Sequence, residues 1–338
     1  MTAFSDAFGR TIDYLRVSVT DRCNLRCIYC MPPEGVQPIA HEQVLRFEEI
    51  ARVVEAAVGL GVRRVRLTGG EPLVRRGIGD LVRLLRALPG LEEISLTTNG
   101  TLLAGMAVAL KEAGLDRVNI SLDTLDAKRY ATITRGGSLQ TVLLGIDAAR
   151  QAGLNPVKVN MVVLRGINDD ETLAMARQSE ERGWHVRYIE VMPLGVAQHV
   201  CGEAESSVDG LSTGTVPNAA IRAEIERAYG LLEPVEIVAG GPAETWRVPG
   251  SSGSIGFISA VSHGFCDVCN RLRLTSAGGL VPCLFSDREI DLREPLRRGA
   301  GREELQALIR SAVALKGPGH HLAERRVETD HQMSRMGG

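Results

Sequence analysis

Short runs rich in β-branched residues alternate with longer segments of helical period from about residue 12 to residue 190. This alternation is typical of repeated βα units that build a parallel sheet. The runs that predict strands are Tyr14 to Val19, Arg64 to Leu67, Glu93 to Thr97, Arg117 to Leu122, Val157 to Val163 and Val186 to Glu190. Six units without a seventh and an eighth predict an α/β fold, an incomplete (βα)6 barrel of the TIM type that is open on one side.

The predicted helices lie between these runs and beyond them. In the clearest one, from about Gln43 to Val58, apolar residues recur at steps of three and four. Gly59 and Gly61 follow this segment and predict its end. Further segments of the same period are Ile78 to Leu88, Leu102 to Ala113, Leu139 to Ala152, Asp170 to Arg182, Pro217 to Tyr229 and Glu303 to Leu315.

The pattern changes after the sixth unit. The stretch from Gly195 to Thr215 is rich in Gly, Ser and Thr, which predicts an inserted loop or a boundary. From about Leu231 the chain is rich in Gly and Pro, with short predicted strands. A chain of 338 residues allows two domains. We expect a partial barrel at 1–230 and, at 231–338, an α+β extension that closes the barrel.

The charge balance limits the class of partner. The chain has 39 Lys and Arg against 41 Asp and Glu, a net charge of -2, so it lacks the basic excess of a general nucleic-acid binder. Its aromatic content of 4% is too low for an extended base-stacking surface. A polyanion would therefore need a local basic cluster. The first ten residues do not resemble a secretion signal, and no apolar run of about 18 residues occurs, which predicts a cytoplasmic protein that does not bind membranes.

The first group of cysteines follows the first predicted strand, where the βα loops of a barrel build the active face. Cys23, Cys27 and Cys30 place three thiolates within one short loop. Each iron of a [4Fe-4S] cluster takes one outer ligand, so three thiolates leave one iron open to a substrate or cofactor. A zinc site and free thiols are the alternatives.

The second group, Cys266, Cys269 and Cys283, is a C-x2-C pair with a distant third cysteine. This spacing suits a second [4Fe-4S] cluster and a zinc site equally, because His263 could complete a Cys3His tetrahedron. The seventh cysteine, Cys201, lies in the predicted insertion, and we interpret it as an incidental thiol. Tight clustering of an odd number of cysteines favours metal ligation over disulfides.

Two motifs resemble the radical S-adenosylmethionine superfamily. One is C-x3-C-x2-C with Tyr29 before its last cysteine, and the other is Thr68-Gly-Gly-Glu-Pro-Leu73 after the second predicted strand. Further matching segments are Leu15-Arg-Val-Ser-Val-Thr-Asp-Arg-Cys-Asn24, Arg66-Leu67, Thr97-Thr-Asn-Gly100, Ser121-Leu-Asp-Thr-Leu125, Lys158-Val-Asn160, Tyr188-Ile-Glu-Val-Met-Pro193 and Asn270-Arg-Leu-Arg273. Over about residues 8–338, the chain resembles the branch that cyclises GTP in the first step of molybdenum cofactor biosynthesis.

The resemblance implies two [4Fe-4S] clusters and S-adenosylmethionine as cofactors. Cys23, Cys27 and Cys30 would hold the first cluster, and the second triad would hold another in the C-terminal region, whose open iron takes the guanine ring. The backbone of Gly69 and Gly70 can approach the methionine amine without side-chain obstruction. The residues implied in contact with S-adenosylmethionine are Tyr29, Gly70, Ser121 and Met192.

The resemblance also implies how a chain of net charge -2 holds a triphosphate. Guanidinium groups match phosphate oxygens, so converging Arg and Lys side chains would bind it locally. The implied GTP-binding residues are Arg16, Arg66, Thr97, Lys158, Arg271, Leu272 and Arg273. Among these, Arg16, Arg271 and Arg273 are also the expected catalytic residues, and Arg64 and Arg187 are weaker candidates for binding.

The implied activity is cyclisation of GTP to 3',8-cyclo-7,8-dihydroguanosine triphosphate. The implied partners are a flavodoxin- or ferredoxin-type electron donor and, downstream, cyclic pyranopterin monophosphate synthase, and a homodimer is left open. The final Gly337 and Gly338 would reach into the cavity, with Arg335 as a helper.

Two other functions could use the same cysteine groups. A peptide-modifying radical enzyme would be expected to carry more C-terminal cysteines and to lack Asn270-Arg-Leu-Arg273. A scaffold without catalysis is disfavoured because purely structural metal sites close their coordination.

Overall fold

The computed structural model describes residues 4–200, 207–208, 211–212, 214–235, 241–320, 329 and 333–336. All six predicted strands are present, with ends within one residue of the prediction. They are β1 Tyr14–Ser18, β2 Arg64–Thr68, β3 Glu93–Thr98, β4 Arg117–Ser121, β5 Lys158–Val163 and β6 His185–Glu190.

Helices connect these strands, as predicted. They are α1 Phe47–Leu60, α2 Ile78–Arg86, α3 Ala107–Glu112, α4 Ala127–Thr134, α5 Leu139–Gln151 and α6 Thr172–Glu181. The helix expected from Gln43 begins four residues later, because Arg46 and Glu49 form a capping box at its start. A 3-10 turn, Leu103–Gly105, replaces the first turn expected for α3. Helix α4 was not predicted, although Asp126 caps it through the backbone N–H of Arg129 at 2.7 Å.

The remaining elements include some within the stretch that was predicted as a loop. A short helix and a two-stranded hairpin lie between residues 197 and 212, so the loop prediction was wrong there. The further strands are β7 Ser207–Val208, β8 Leu211–Ser212, β9 Glu233–Pro234, β10 Glu244–Arg247, β11 Ser254–Ile258, β12 Arg271–Leu274, β13 Gly279–Val281 and β14 Ile290–Asp291. The further helices are α7 Ala197–Val200, α8 Asn218–Tyr229, α9 Arg293–Arg297, α10 Arg302–Ala314 and α11 Met333–Met336.

Twelve strands form one mixed sheet in the order β14-β13-β12-β1-β2-β3-β4-β5-β6-β11-β10-β9. The α/β class is thus confirmed. Strands β12 and β11 come from the C-terminal part of the chain and pair in parallel with β1 and β6 respectively. On their other sides, β12 pairs with β13 and β11 pairs with β10, both antiparallel. The N-terminal and C-terminal parts of the chain therefore share a single sheet.

The two faces of the sheet have different roles. Along β1, Leu15 and Val17 join the main apolar core, while Tyr14 and Arg16 line a cavity. This alternation follows from the two-residue period of a strand. Helix α1 covers the apolar face and buries residues such as Ile50 completely. The sheet therefore holds its core on the helix side and presents polar groups on the other.

None of the described helices combines the length and apolarity needed to cross a membrane.

Candidate active site

The first cysteine triad lies on the loop that follows β1. Cys23, Cys27 and Cys30 line one cavity, which we name the first cavity. The backbone N–H of Cys30 donates to the carbonyl oxygen of Cys27 at 2.9 Å, which closes a tight turn. Burial raises the pKa of all three thiols, that of Cys30 to about 12. Because a metal-bound thiol is deprotonated, a strongly positive group is needed to hold these sulfurs as thiolates.

The donor set fits an iron–sulfur cluster. The described ranges contain no group of three or more Cys, His, Asp or Glu side chains placed around one metal ion. A [4Fe-4S] cluster distributes its ligands over several irons, with one thiolate on each. Three thiols from a single loop suit three of the four irons and leave the last one open to another ligand.

The glycine motif packs directly against the cysteine loop. The backbone N–H groups of Gly70 and Glu71 donate to the carbonyl oxygens of Thr20 and Arg22, each at 2.8 Å. A Cβ atom on Gly70 would lie 2.3 Å from the carbonyl oxygen of Arg22, and Gly69 has a φ of +136°. Both positions therefore need glycine, because a side chain would push the two loops apart.

Glu71 fixes the end of β3 beside the same loop. Its carboxylate accepts hydrogen bonds from the Leu73 N–H at 3.0 Å, the Thr98 hydroxyl at 2.8 Å and the Asn99 N–H at 2.6 Å. Burial raises the pKa of Glu71 to about 7, although the three bonds favour the charged form. The Asn99 side-chain amide in turn lies 4.0 Å from the sulfur of Cys23.

The opposite wall of the first cavity is built around Asp123. Its carboxylate accepts the Tyr29 hydroxyl at 2.7 Å and the Val162 N–H at 2.8 Å, and burial raises its pKa to about 6. These bonds fix the Tyr29 ring at the cysteine loop. All the residues expected to contact S-adenosylmethionine line this cavity: Tyr29, Gly70, Ser121 and Met192.

The second cysteine triad lines another cavity, which we name the second cavity. Cys266 and Cys269 bound a 3-10 turn, and Cys283 follows β13. Burial raises the pKa of Cys266. At Cys269, burial has the same effect, but the positive charges of Lys316 and Arg271 outweigh it and lower the pKa. The three thiols again come together around one space, although they come from two separate segments.

Arginine side chains surround the rest of the second cavity. All are buried: Arg16, Arg66, Arg117, Arg187, Arg271 and Arg273. Burial and mutual repulsion lower the pKa of Arg273 to about 10 and that of Arg187 to about 9. Arg117 pairs with Glu93 at 2.5 Å. Cations crowded together in this way are compensated best by a bound polyanion, and guanidinium groups suit phosphate.

The strand register explains why these arginines meet. Arg16 lies opposite Arg66 of β2 and Arg273 of β12. Neighbouring strands in register present equivalent side chains on the same face of the sheet. Leu272 points the other way, because its side chain belongs to the apolar core. Any contact of Leu272 with a molecule in the cavity therefore involves its backbone.

The two cavities adjoin each other. Thr97, Asn160, Ile189 and Met192 line both of them. Thr97 Oγ1 and Asn160 Oδ1 are buried polar atoms for which the described part of the chain offers no hydrogen-bond partner. Buried polar groups are normally satisfied, so a bound molecule is the natural partner at this junction.

Three further candidates lie away from the cavity lining. Lys158 is buried, and its pKa is lowered to about 6 by burial and by the positive charges of Arg187 and other arginines. Arg64 pairs with Asp13. His263 is exposed and does not line the second cavity.

The end of the chain lies close to the site. Met333 of α11 lines the first cavity, and Arg335 donates a hydrogen bond to the carbonyl oxygen of Gln37 at 3.1 Å. The predictions for Cys201, Gly337 and Gly338 fall outside the described residues.

Several polar residues of the site were not predicted from the sequence. Arg117, Asn160 and Tyr14 line the second cavity, and Asp123 lines the first. The strand period could have identified Arg117. It lies four residues before Ser121 on β4, so the two side chains point to the same face of the sheet. Asp123 and Asn160 stand inside motifs that were recognised but were given no role.

Comparison with known proteins agrees with this geometry. Residues 17–178 match the model of the Radical SAM superfamily, and residues 184–322 match that of Molybdenum Cofactor Synthesis C. Among solved structures, Streptococcus suis SuiB bound to S-adenosylmethionine superposes with a TM-score of 0.59 at 14% identity, covering 89% of this chain and 68% of SuiB. Native anSMEcpe with bound AdoMet superposes at 0.56 with 16% identity, covering 92% and 82%. The fold is that of a radical SAM protein.

Sequence relatives narrow this class. A GTP 3',8-cyclase of Pelotomaculum thermopropionicum is 52% identical over 98% of this chain and 99% of the relative. Another from Moorella thermoacetica is 51% identical with the same coverage. The chain belongs to the GTP 3',8-cyclase family.

Proposed function

We propose that this protein cyclises GTP to (8S)-3',8-cyclo-7,8-dihydroguanosine 5'-triphosphate, the first step of molybdenum cofactor biosynthesis. The observation that carries the proposal is the buried arginine cluster in a cavity between two cysteine triads. A radical enzyme that acts on peptides has no evident need for so many buried cations. An enzyme that binds a triphosphate needs them, because guanidinium groups match phosphate oxygens.

The two cavities bind different molecules in this proposal. Cys23, Cys27 and Cys30 hold a first [4Fe-4S] cluster, and S-adenosylmethionine binds there against Tyr29, Gly70, Ser121 and Met192. When bound and supplied with one electron by the reductant, these groups would provide the radical chemistry that takes the 3' hydrogen of the ribose. Cys266, Cys269 and Cys283 hold a second cluster beside the guanine ring.

The arginines orient the substrate. The residues that bind GTP are Arg16, Arg66, Arg271, Arg273, Lys158 and, through its backbone, Leu272. Arg117 and Arg187 complete the same cluster. Because the cations are fixed by the strand register before GTP arrives, little reorganisation is needed when it binds. Arg16, Arg271 and Arg273 are the proposed catalytic residues.

The junction of the cavities sets the reaction geometry. Thr97 contacts GTP there, and Asn160 supplies a second buried polar atom. Ile189 and Met192 exclude water from the space that the two cavities share. A primary radical attacks any nearby C–H bond, so close orientation and exclusion of side reactions are the main tasks of the protein.

We further propose how the two parts of the chain are arranged and which proteins act with it. Residues 1–230 form an incomplete (βα)6 barrel, and residues 231–338 cover its open side and carry the second cluster. A flavodoxin or ferredoxin donates electrons in the cytoplasm, and cyclic pyranopterin monophosphate synthase uses the product.

The test uses protein purified without oxygen. Iron, sulfide and zinc are quantified, and then GTP, S-adenosylmethionine and dithionite are added while 5'-deoxyadenosine is measured. The proposal requires about eight irons per chain and 5'-deoxyadenosine that forms when GTP is present. Four irons with one zinc would reduce the second triad to a structural site, and turnover independent of GTP would favour the peptide-modifying alternative.

A further inference from the structure

Lys316 is a buried cation beside the second cysteine triad. It stands just after α10, and only 4% of the residue is exposed. Its ammonium donates to the sulfur of Cys269 at 3.5 Å and to the carbonyl oxygens of Arg271 at 3.0 Å and Pro282 at 2.9 Å. These three acceptors use all three N–H donors of a lysine, and none of them is a carboxylate.

The acceptors belong to the two segments that carry the triad. Arg271 lies two residues after Cys269, and Pro282 directly precedes Cys283. One ammonium therefore ties the turn before β12 to the end of β13. The β12–β13 pairing joins the same two segments, and the ammonium adds a link next to the sulfurs themselves.

Arg10 holds the neighbouring segment in a similar way. Its guanidinium donates to the carbonyl oxygens of Cys266 at 2.8 Å and Gly317 at 2.6 Å, and it pairs with Asp6 at 2.5 Å. Arg10 thus fixes both the first cysteine of the triad and the residue that follows Lys316. Two buried cations together hold all the segments on which the triad stands.

The first triad has different surroundings. The contacts to the Cys23 sulfur come from the backbone N–H of Leu25 at 3.4 Å and the Asn99 amide at 4.0 Å. Arg26 reaches the carbonyl oxygen of Cys23 at 2.7 Å rather than its sulfur. The sulfur of Cys269, in contrast to that of Cys23, accepts a hydrogen bond from a cation among the described residues.

We propose that Lys316 is a positioning residue of the second cluster and that its charge makes this cluster easier to reduce than it would otherwise be. The inference rests on the proposed function, which places a cluster at Cys266, Cys269 and Cys283. Net charge and hydrogen bonds to sulfur are established determinants of cluster potential. A cation at the ligand sulfur stabilises the reduced form, because that form carries one more negative charge.

The experiment compares Lys316→Met, Lys316→Gln and Lys316→Arg with the wild type in the full chain, reconstituted without oxygen. Lys111→Met on the exposed face of α3 is the matched control. Iron per chain is measured, and the reduction potential of each cluster is followed by electron paramagnetic resonance during a redox titration. We expect Lys316→Met to shift the second cluster to a more negative potential and to leave the first unchanged. Lys316→Gln should shift it less, and Lys316→Arg least.

The outcomes separate this inference from the proposed function. A wild type that binds about four irons fails the proposed function before any variant is considered. Loss of the second cluster in Lys316→Met supports the positioning role, and Lys316→Gln then carries the measurement of potential. Full iron content and an unchanged second potential in both neutral variants would overturn the inference.

Discussion

At the scale of single residues, the arginines of the second cavity are like charges buried close together. Arg16 lies next to Arg66 and Arg273 in the strand register. Burial is the main cause that lowers the pKa of all three guanidinium groups, and the charges of neighbouring arginines add to it. Like charges buried together are unfavourable until an anion joins them. Such a cluster is therefore preorganised for a ligand of high negative charge.

Replacement of Arg273 by Gln should affect binding and stability in opposite directions. Loss of one charge-assisted hydrogen bond costs about 1.5–3 kcal/mol, which corresponds to roughly 10- to 100-fold weaker GTP binding. The melting temperature of the free protein should rise, because one repelling charge is removed. Titration calorimetry with GTP and thermal unfolding measure the two effects. Arg64→Gln is the control, since Arg64 pairs with Asp13 outside the cavity; equal loss of binding in the control would refute the assignment.

Lys158 should make the stability of the protein depend on pH. Burial, then the charges of Arg187 and Arg117, lower its pKa from 10.5 to about 6. Between these pH values Lys158 is protonated in the unfolded chain and neutral in the folded chain, so the free energy of unfolding should rise with pH over this window. Below about pH 6 the folded protein should bear the full cost of burying the protonated lysine. Lys158→Met should remove this contribution. Denaturant unfolding at pH 7 and pH 9 tests it, and an equal pH slope in both proteins would contradict the prediction.

At the scale of elements, the first cavity depends on two loops that touch backbone to backbone. The loop after β2 binds the cysteine loop after β1 through Gly70 and Glu71, and Glu71 adds the end of β3. Three consecutive strands are thereby held together where the thiols converge. The glycines contribute to the site through the close approach of these loops as well as through access for a ligand.

Gly70→Ala should disrupt this contact. The new Cβ atom would lie 2.3 Å from the carbonyl oxygen of Arg22, so the cysteine loop must move. We expect the variant to lose most of the iron of the first cluster, about four per chain. Iron analysis and circular dichroism measure the loss and the fold. Gly79→Ala in α2 is the control, because nothing lies within 4 Å of a Cβ there; full iron content in Gly70→Ala would rule out this account.

At the scale of the whole molecule, the C-terminal part of the chain extends the six-stranded parallel sheet beyond both β1 and β6. Strands β12 and β11 cover the edges of β1 and β6, which would otherwise expose unpaired backbone groups. β12 also brings Arg271 and Arg273 into the second cavity. The C-terminal part is therefore required both for the sheet and for the site.

A fragment of residues 1–230 should fail to fold as a monomer. It lacks β11 and β12, so both edges of the parallel sheet would be open to other chains. Size-exclusion chromatography should show aggregation, and calorimetry should show no sharp transition. A fragment of residues 1–320 keeps every strand of the twelve-stranded sheet and should unfold in one cooperative transition. A monomeric 1–230 fragment with a sharp transition would disprove the dependence.

The sequence by itself determined the six βα units, the two cysteine groups and the glycine motif. These are local features, because strand period, helix period and ligand spacing are all expressed within a few residues. Only the tertiary structure decided that Arg117 joins the arginine cluster and that Lys316 reaches Cys269. Such contacts depend on strand register and on chain segments far apart in sequence. Strand β12 shows what the local pattern does not determine. Arg271 and Arg273 alternate with leucines, a pattern typical of a half-exposed strand. Both arginines are nevertheless buried around the cavity between the two cysteine triads.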